Sequence, residues 1–155
     1  MPSSWTREWN DIIRYVIFPD EGLKFLMKLP ENTTIINFIN KYFMRVGTVS
    51  EPLKDEVVRI VYGNYGSALA NDVHVLKQEI SFDIYVQTKQ LHNVGEDRLV
   101  YRTELIAERL KDLLTRSDPE LLGGYHFRCI GESDMNTSTI GYVRYNVTFQ
   151  YMRTV

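Results

Sequence analysis

The chain has 155 residues and a net charge of −2, with 44% hydrophobic and 25% charged residues. These values are ordinary for a globular protein and predict a single domain over residues 1–155, and the negative net charge argues against a general nucleic-acid binder. The one cysteine, Cys129, excludes an internal disulfide and gives no metal-ligand spacing.

The N-terminus, MPSSWTREWN, lacks the uninterrupted apolar core of a signal peptide. No apolar run reaches the roughly 18 residues that a membrane span requires. We therefore expect a protein that is made in the cytoplasm and has no membrane partner.

A helical N-terminal part is predicted over residues 1–47. Its first helix begins at Ser3 or Ser4, which can act as the N-cap, and ends before Pro19. The apolar residues of this helix recur at helical spacing. They are Trp5, Trp9, Ile12, Ile13, Val16 and Ile17.

Two shorter helices are predicted over residues 20–29 and 32–46, the second with Asn32 or Thr33 as its N-cap. The second segment is rich in isoleucine, which also favours strands, so a strand remains an alternative there. Its shared apolar face comprises Ile35, Ile36, Ile39, Tyr42, Phe43 and Val46.

The clearest strand is predicted over residues 76–86, LKQEISFDIYV, because apolar and polar residues alternate. Its apolar side comprises Leu76, Ile80, Phe82, Ile84 and Val86. A shorter strand is predicted over residues 57–62, followed by a long connection over 64–75. If the main strand reaches Gln90, it spans roughly 50 Å, which requires a bulge or a projecting hairpin arm.

A helix over residues 98–116, with Asp97 as its N-cap, has a continuous apolar arc of about 140°, wide enough to lie on a sheet. Four arginines fall within about 40° of one another at the edge of that arc. They are Arg98, Arg102, Arg109 and Arg116. One interpretation is that their stems cover apolar area while their charged groups stay hydrated. The other is an interface stripe that faces acidic groups of a neighbouring subunit.

Two further strands are predicted over residues 125–132 and 142–152, and no proline follows Pro119 to block their edges. Such strands favour pairing with another chain, and tyrosine suits interfaces because it combines apolar area with a polar tip. The candidate interface residues on the strands are Tyr85, Tyr145 and Tyr151. The order of elements predicts an α+β fold, with an antiparallel or mixed sheet of about four strands covered on one face by the central helix.

No combination of residues predicts catalysis, a metal site or a cofactor, so we expect no enzyme activity. Glu79 and Asp83 share a strand face but lie about 13 Å apart. One Mg²⁺ needs its ligand oxygens at about 2.1 Å, so this pair alone cannot chelate it. A small metal-dependent nuclease is the alternative from a different class of protein.

Four stretches together resemble the tail terminator, or tail completion, proteins of long-tailed bacteriophages. They are SFDIYV, the polar loop after it, the helix RTELIAERLKDLL and the closing strand GYVRYNVTFQY, so the resemblance covers roughly residues 57–153. It implies a small α+β subunit of the virion that forms a hexameric ring with other copies of itself. The residues up to 47 have no counterpart in this resemblance.

In this family the ring sits on the last ring of the tail tube protein, halts polymerisation and offers a docking face to the head–tail connector. The resemblance therefore implies structural partners and no cofactor, with DNA only as passing cargo in the lumen of the ring. A neighbouring neck or head–tail joining protein is the alternative within the same class.

Overall fold

A computed structural model describes residues 4–48, 53–65, 75–92 and 100–154. Its helices are α1 (Ser4–Ile12), α2 (Glu21–Met27), α3 (Ile35–Asn37) and α4 (Arg102–Arg116), with π-helical turns at Ile13–Ile17 and Phe38–Tyr42 and a 3₁₀ turn at Thr88–Gln90. Its strands are β1 (Phe43–Arg45), β2 (Val58–Tyr65), β3 (Val75–Gln87), β4 (His126–Met135) and β5 (Tyr142–Thr154).

The five strands form one sheet in the order β1-β2-β3-β5-β4. β1 runs parallel to β2, and every other neighbouring pair is antiparallel. The predicted α+β class with a mixed sheet is therefore confirmed, with one strand more than expected. β3 and β5 are each 13 residues long and pair from Val75↔Thr154 to Gln87↔Tyr142, which makes them the frame of the sheet.

The predicted strand over residues 76–86 lies entirely within β3, but its continuation to Gln90 is wrong. The chain turns at Thr88, whose N–H donates to Gly141 O at 2.9 Å. Neither the expected bulge nor the expected arm occurs along β3, whose register with β5 is continuous. The sheet has its irregularity in β4, between Cys129 and Gly131. Most of the predicted 64–75 connection lies outside the described residues.

The first two predicted helices are confirmed, and Asp20 caps α2 by accepting from Leu23 N–H at 2.8 Å. The third is only partly helical, because Phe43–Arg45 form β1 beside β2. Burial explains the difference. The Phe43 side chain is fully buried, and Val46 N–H donates to Tyr62 O at 2.7 Å, a bond that a continuing helix would lose.

The central helix begins at Arg102, four residues later than predicted. Tyr101 occupies its N-cap position without a side-chain cap, and the first helical N–H of Arg102 donates to Leu91 O at 2.8 Å. Asp97 and Arg98 lie outside the described residues.

One face of the sheet, the covered face, packs against α1 and α4 and forms a single core. Both tryptophans of α1 lie against this sheet. Trp5 stacks on Tyr151 with ring centroids 4.1 Å apart, and Trp9 contacts Tyr62 at 5.5 Å. Alternate residues of β3 and β5 supply the floor of the core: Ile80, Phe82, Ile84, Val86, Val147, Phe149 and Tyr151.

Candidate functional site

The α4 arginines do not form one exposed stripe. Arg102 is 2% exposed, and its guanidinium donates to Leu26 O at 2.6 Å and to Gln90 O at 2.9 Å. It thereby ties the end of α2 and the 3₁₀ turn to the start of α4. The interpretation that the charged group stays hydrated is wrong for Arg102. Burial lowers the pKa of its guanidinium from the ordinary value.

Arg109 also contacts the chain itself, because it makes a two-pronged ion pair with Asp20. Its Nε lies 2.7 Å from Asp20 Oδ2, and its Nη2 lies 2.5 Å from Oδ1. The hydrogen bond from Arg109 holds the pKa of Asp20 below its ordinary value and raises the pKa of Arg109. Arg116 is exposed, 3.6 Å from Asp112 Oδ1, and remains open to the predicted contact with a neighbouring subunit.

The three candidate tyrosines lie on different faces of the sheet. Tyr151 is fully buried on the covered face, and its hydroxyl donates to Gln78 Oε1 at 2.5 Å. Tyr145 is buried there too, with its hydroxyl 2.9 Å from Glu132 Oε1, and burial raises its pKa. Tyr85 is half-buried on the opposite, open face. Of the three, only Tyr85 lies where a partner could contact it without a change in the core.

The open face carries a hydrogen-bonded polar ladder across β3 and β5. Asp83 accepts from Asn146 Nδ2 at 3.0 Å through Oδ1 and from Arg144 Nη2 at 3.0 Å through Oδ2. Asn146 Nδ2 also donates to Ser81 Oγ at 2.7 Å, and Ser81 Oγ lies 3.0 Å from Thr148 Oγ1. These bonds run between directly opposed residues and their neighbours, so they hold the polar side chains in a defined arrangement.

This ladder also bears on the nuclease alternative. Both carboxylate oxygens of Asp83 are bonded to Asn146 and Arg144, while Glu79 lies farther along the strand, opposite Gln150. Within the described ranges, no group of three or more His, Cys, Asp or Glu side chains is arranged to hold a metal ion.

The two edges of the sheet differ. At β1, Val46 N–H bonds to β2, so by alternation the groups of Phe43 and Arg45 point outwards. Two of these groups are bonded within the chain: Phe43 N–H donates to Phe38 O, and Arg45 O accepts from the N–H and hydroxyl of Thr48 at 3.1 and 2.6 Å. The β1 edge is therefore partly blocked.

The β4 edge is open, since no other strand of the described sheet pairs with its outer side. Most of its ten residues are exposed, including the apolar side chains of Ile130 and Met135. Glu132 anchors it to α4 through an ion pair with Lys111, and the hydrogen bond from Lys111 lowers the pKa of Glu132. A long open edge is a surface on which another chain can add a strand.

The sequence did not predict a buried ion pair between β2 and the segment that precedes it. Glu56 Oε1 and Arg59 Nη2 are 3.0 Å apart, and both side chains are buried. The backbone carbonyl of Glu56 accepts from the hydroxyl of Tyr142 at 2.7 Å. The polar segment TVSEPLKDE contains no signal that separates Glu56 from its exposed neighbours Lys54 and Asp55.

Fold and surface together define a small α+β protein with a bonded polar sheet face and one open sheet edge. The chain belongs to the YomW family, whose family model matches residues 10–151, including most of the N-terminal helical part. This membership indicates a phage-associated protein. No curated protein matches the chain. In the part of the chain that the structure describes, no helix is long and apolar enough to cross a membrane.

Proposed function

We propose that this protein is a structural component of a phage virion that closes the end of the tail tube. In this proposal, six copies form a ring that halts polymerisation of the tube and presents a joining surface to the head–tail connector. It performs no reaction and needs no cofactor, and DNA passes through the lumen of the ring only as cargo.

The observation that carries the proposal is the open edge of β4. A ten-residue strand without proline, free on its outer side among the described residues, is a liability that proteins normally block. β1 and β4 form the two edges of the sheet, and the long unpaired edge of β4 is explained if β4 contacts other protein chains. Family membership and the resemblance over residues 57–153 supply the phage context.

The rest of the described surface fits a role in assembly. β3 and β5 give a long, continuous frame, which carries the open face on one side and pairs with β4 at its edge. Exposed apolar side chains, among them Phe25, Ile36 and Ile140, add contact area outside the sheet. The tube end and the connector are both large protein surfaces. Scattered contacts of this kind can contribute together to binding such a surface.

The test is tube assembly. Tail tube subunits of the same phage are polymerised with and without the protein, and tube lengths and ends are recorded by electron microscopy. We expect shorter tubes, each with an added six-fold ring at one end. Glu31→Ser, which changes an exposed polar side chain that the proposal assigns no contact, is the control variant and should also cap tubes.

Bare tubes of unchanged length would contradict the proposal. Binding of the protein to isolated head connectors, with no binding to tube ends, would instead favour the neighbouring neck or head–tail joining protein.

A further inference from the structure

We propose that a cavity at one end of the β3–β5 frame binds an acidic segment of another protein. Carboxylates of the segment pair with Lys54 and Lys89, and an apolar side chain of the segment packs on Ile140. The inference goes beyond the tail-closing role and does not depend on it.

The cavity, called here the lysine cavity, lies where β3 ends and β5 begins. Three parts of the chain line it. The lining residues are Lys54, Gln87, Thr88, Lys89, Ile140, Gly141 and Tyr142. Its volume of about 510 Å³ lies in the range of about 300–1,000 Å³ that is usual for binding sites. The cavity is therefore large enough to hold side chains of a bound segment.

Hydrogen bonds hold the three lining parts together. Thr88 N–H donates to Gly141 O at 2.9 Å, which joins the chain after β3 to the turn before β5. The hydroxyl of the buried Tyr142 donates to Glu56 O at 2.7 Å and so fixes the segment that carries Lys54. The cavity is thus formed before a ligand binds, which lowers the entropic cost of binding.

The charge of the lysine cavity is the first argument for an acidic ligand. Lys54 and Lys89 are exposed, and neither amine forms an ion pair or a hydrogen bond with any described residue. Every other lysine whose side chain the structure describes has a partner in the chain. The partners are Glu21 for Lys24, Gln90 for Lys28, the Tyr42 ring for Lys41 and Glu132 for Lys111. The two unpartnered lysines therefore share one cavity.

This positive charge is not balanced within the cavity. Asp55 and Glu56 follow Lys54 along the chain, but neither lines the cavity, and Glu56 is paired with Arg59. A carboxylate that enters the cavity is attracted by both amines. The chain as a whole has a net charge of −2, so this attraction is local to the cavity.

Ile140 is the second argument, because it adds apolar surface at the same place. Its side chain is 95% exposed, more than any other large hydrophobic residue among the described ones. Covering it with an apolar side chain is favourable in proportion to the area removed from water. A ligand that matches the cavity therefore combines carboxylates with an apolar side chain, as an acidic protein segment does.

Nucleic acid matches the lysine cavity less well. Two lysines neutralise only about two phosphates, and the negative net charge of the chain repels the rest of a duplex. The sugar–phosphate backbone also offers little aliphatic surface to Ile140.

The first test is a titration of the ¹⁵N-labelled full chain with the acetylated peptide Glu-Glu-Leu-Glu-Glu, followed by NMR at low salt concentration. We expect the amide signals of Thr88, Lys89 and Gly141 to shift, and binding to weaken as the salt concentration rises. The uncharged peptide Gln-Gln-Leu-Gln-Gln is the control and should bind at least about tenfold more weakly. Unchanged signals at the cavity, or equal binding of the two peptides, would overturn the proposal.

The second test separates the lysine cavity from the charge of the whole chain. K54E/K89E reverses the charge of the cavity, and R7E/R14E makes the same change of charge at two exposed arginines near the N-terminus. We expect the dissociation constant of the acidic peptide to rise at least about tenfold in K54E/K89E and to stay within about twofold of the parent value in R7E/R14E. Equal losses in the two variants would overturn the site.

The third test concerns the apolar contact. Ile140→Ser should raise the dissociation constant of the acidic peptide about threefold, whereas Ile36→Ser, at another exposed isoleucine, should leave it unchanged. An unchanged constant in Ile140→Ser would refute the apolar contact. A short DNA duplex that shifts the same amide signals at lower concentration than the peptide would overturn the assignment to a protein segment.

The two proposals fail separately. Tubes capped by a protein that does not bind the acidic peptide would refute the lysine cavity as a binding site and leave the tail-closing role intact. Peptide binding in the cavity by a protein that leaves tubes bare would do the reverse.

Discussion

The two faces of the β3–β5 frame are built from alternate residues of the same two strands. On the covered face, Phe82 and Phe149 are fully buried, with their rings in edge contact at a centroid distance of 5.8 Å. On the open face, Asp83 and Asn146 stay partly exposed and bond to each other at 3.0 Å. The difference indicates that the stability of the fold comes mainly from the covered face, while the open face stays accessible to solvent.

The largest effect should come from a charge placed on the covered face. Phe82→Asp removes a fully buried ring and buries a carboxylate without a partner, which costs about as much as the whole stability of a small domain. We expect no cooperative thermal unfolding of this variant by circular dichroism. Tyr85→Asp, the same kind of change on the open face of β3, is the control and should remain folded. A folded Phe82→Asp variant with the melting temperature of the parent would refute the comparison.

An intermediate effect is expected at Arg102, where the helices that cover the sheet are joined. Arg102→Leu keeps the apolar stem but removes the donors to Leu26 O and Gln90 O, at a cost of about 3 kcal/mol in the free energy of unfolding. Urea denaturation measures this cost. Arg116→Leu, at the exposed end of the same helix, should change the free energy of unfolding by less than about 0.5 kcal/mol. Equal losses in the two variants would mean that burial does not distinguish these arginines.

The smallest effect is expected from the ion pair between Asp20 and Arg109, which fixes α2 on α4. Because the folded pKa of Asp20 is lowered, its contribution is present above the unfolded pKa and disappears as pH falls through the folded pKa. Arg109 is partly exposed, so solvent screening limits this contribution to about 1 kcal/mol.

Asp20→Asn should therefore be less stable than the parent at pH 6 by about 1 kcal/mol, and the difference should decrease as pH falls below 3.8, the ordinary pKa of Asp. Thermal melts of both proteins across this range provide the measurement. A difference that does not change with pH would show that the charge of Asp20 contributes nothing.

Alternation with a period of two predicted both long strands and which of their residues lie in the core, because a strand that is buried on one face alternates apolar and polar residues. In the closing strand, alternation puts Tyr145 and Tyr151 on the same face as Val147 and Phe149, and all four residues belong to the core. The two tyrosines were proposed as interface residues because tyrosine is generally frequent at interfaces. That general preference contains no information on whether helices of the same chain cover their face.

Contacts between distant parts of the chain could not be predicted in this way. A helical wheel places Arg102 at the edge of an apolar arc, but it cannot show that Leu26 O and Gln90 O converge on the guanidinium from elsewhere in the chain. A strand at the position of β1 was only the alternative to a helix, because its aromatic and aliphatic residues also satisfy helical spacing. Only the neighbouring β2 decides between the two. Which strands form the two edges of the sheet depends on the order of the strands, and no local pattern in the sequence predicts that order.

The position of β5 has a consequence for folding during synthesis. β5 follows every other described element along the chain, yet it lies between β3 and β4. Until the ribosome has released residues 142–154, β4 has no partner in the sheet, and β3 pairs only with β2. When β5 pairs with β3, contacts form between residues that are far apart along the chain, and such contacts slow folding. A nascent chain that stalls before β5 would expose one edge of β3 and both edges of β4, instead of the outer edge of β4 alone, and would be prone to aggregate.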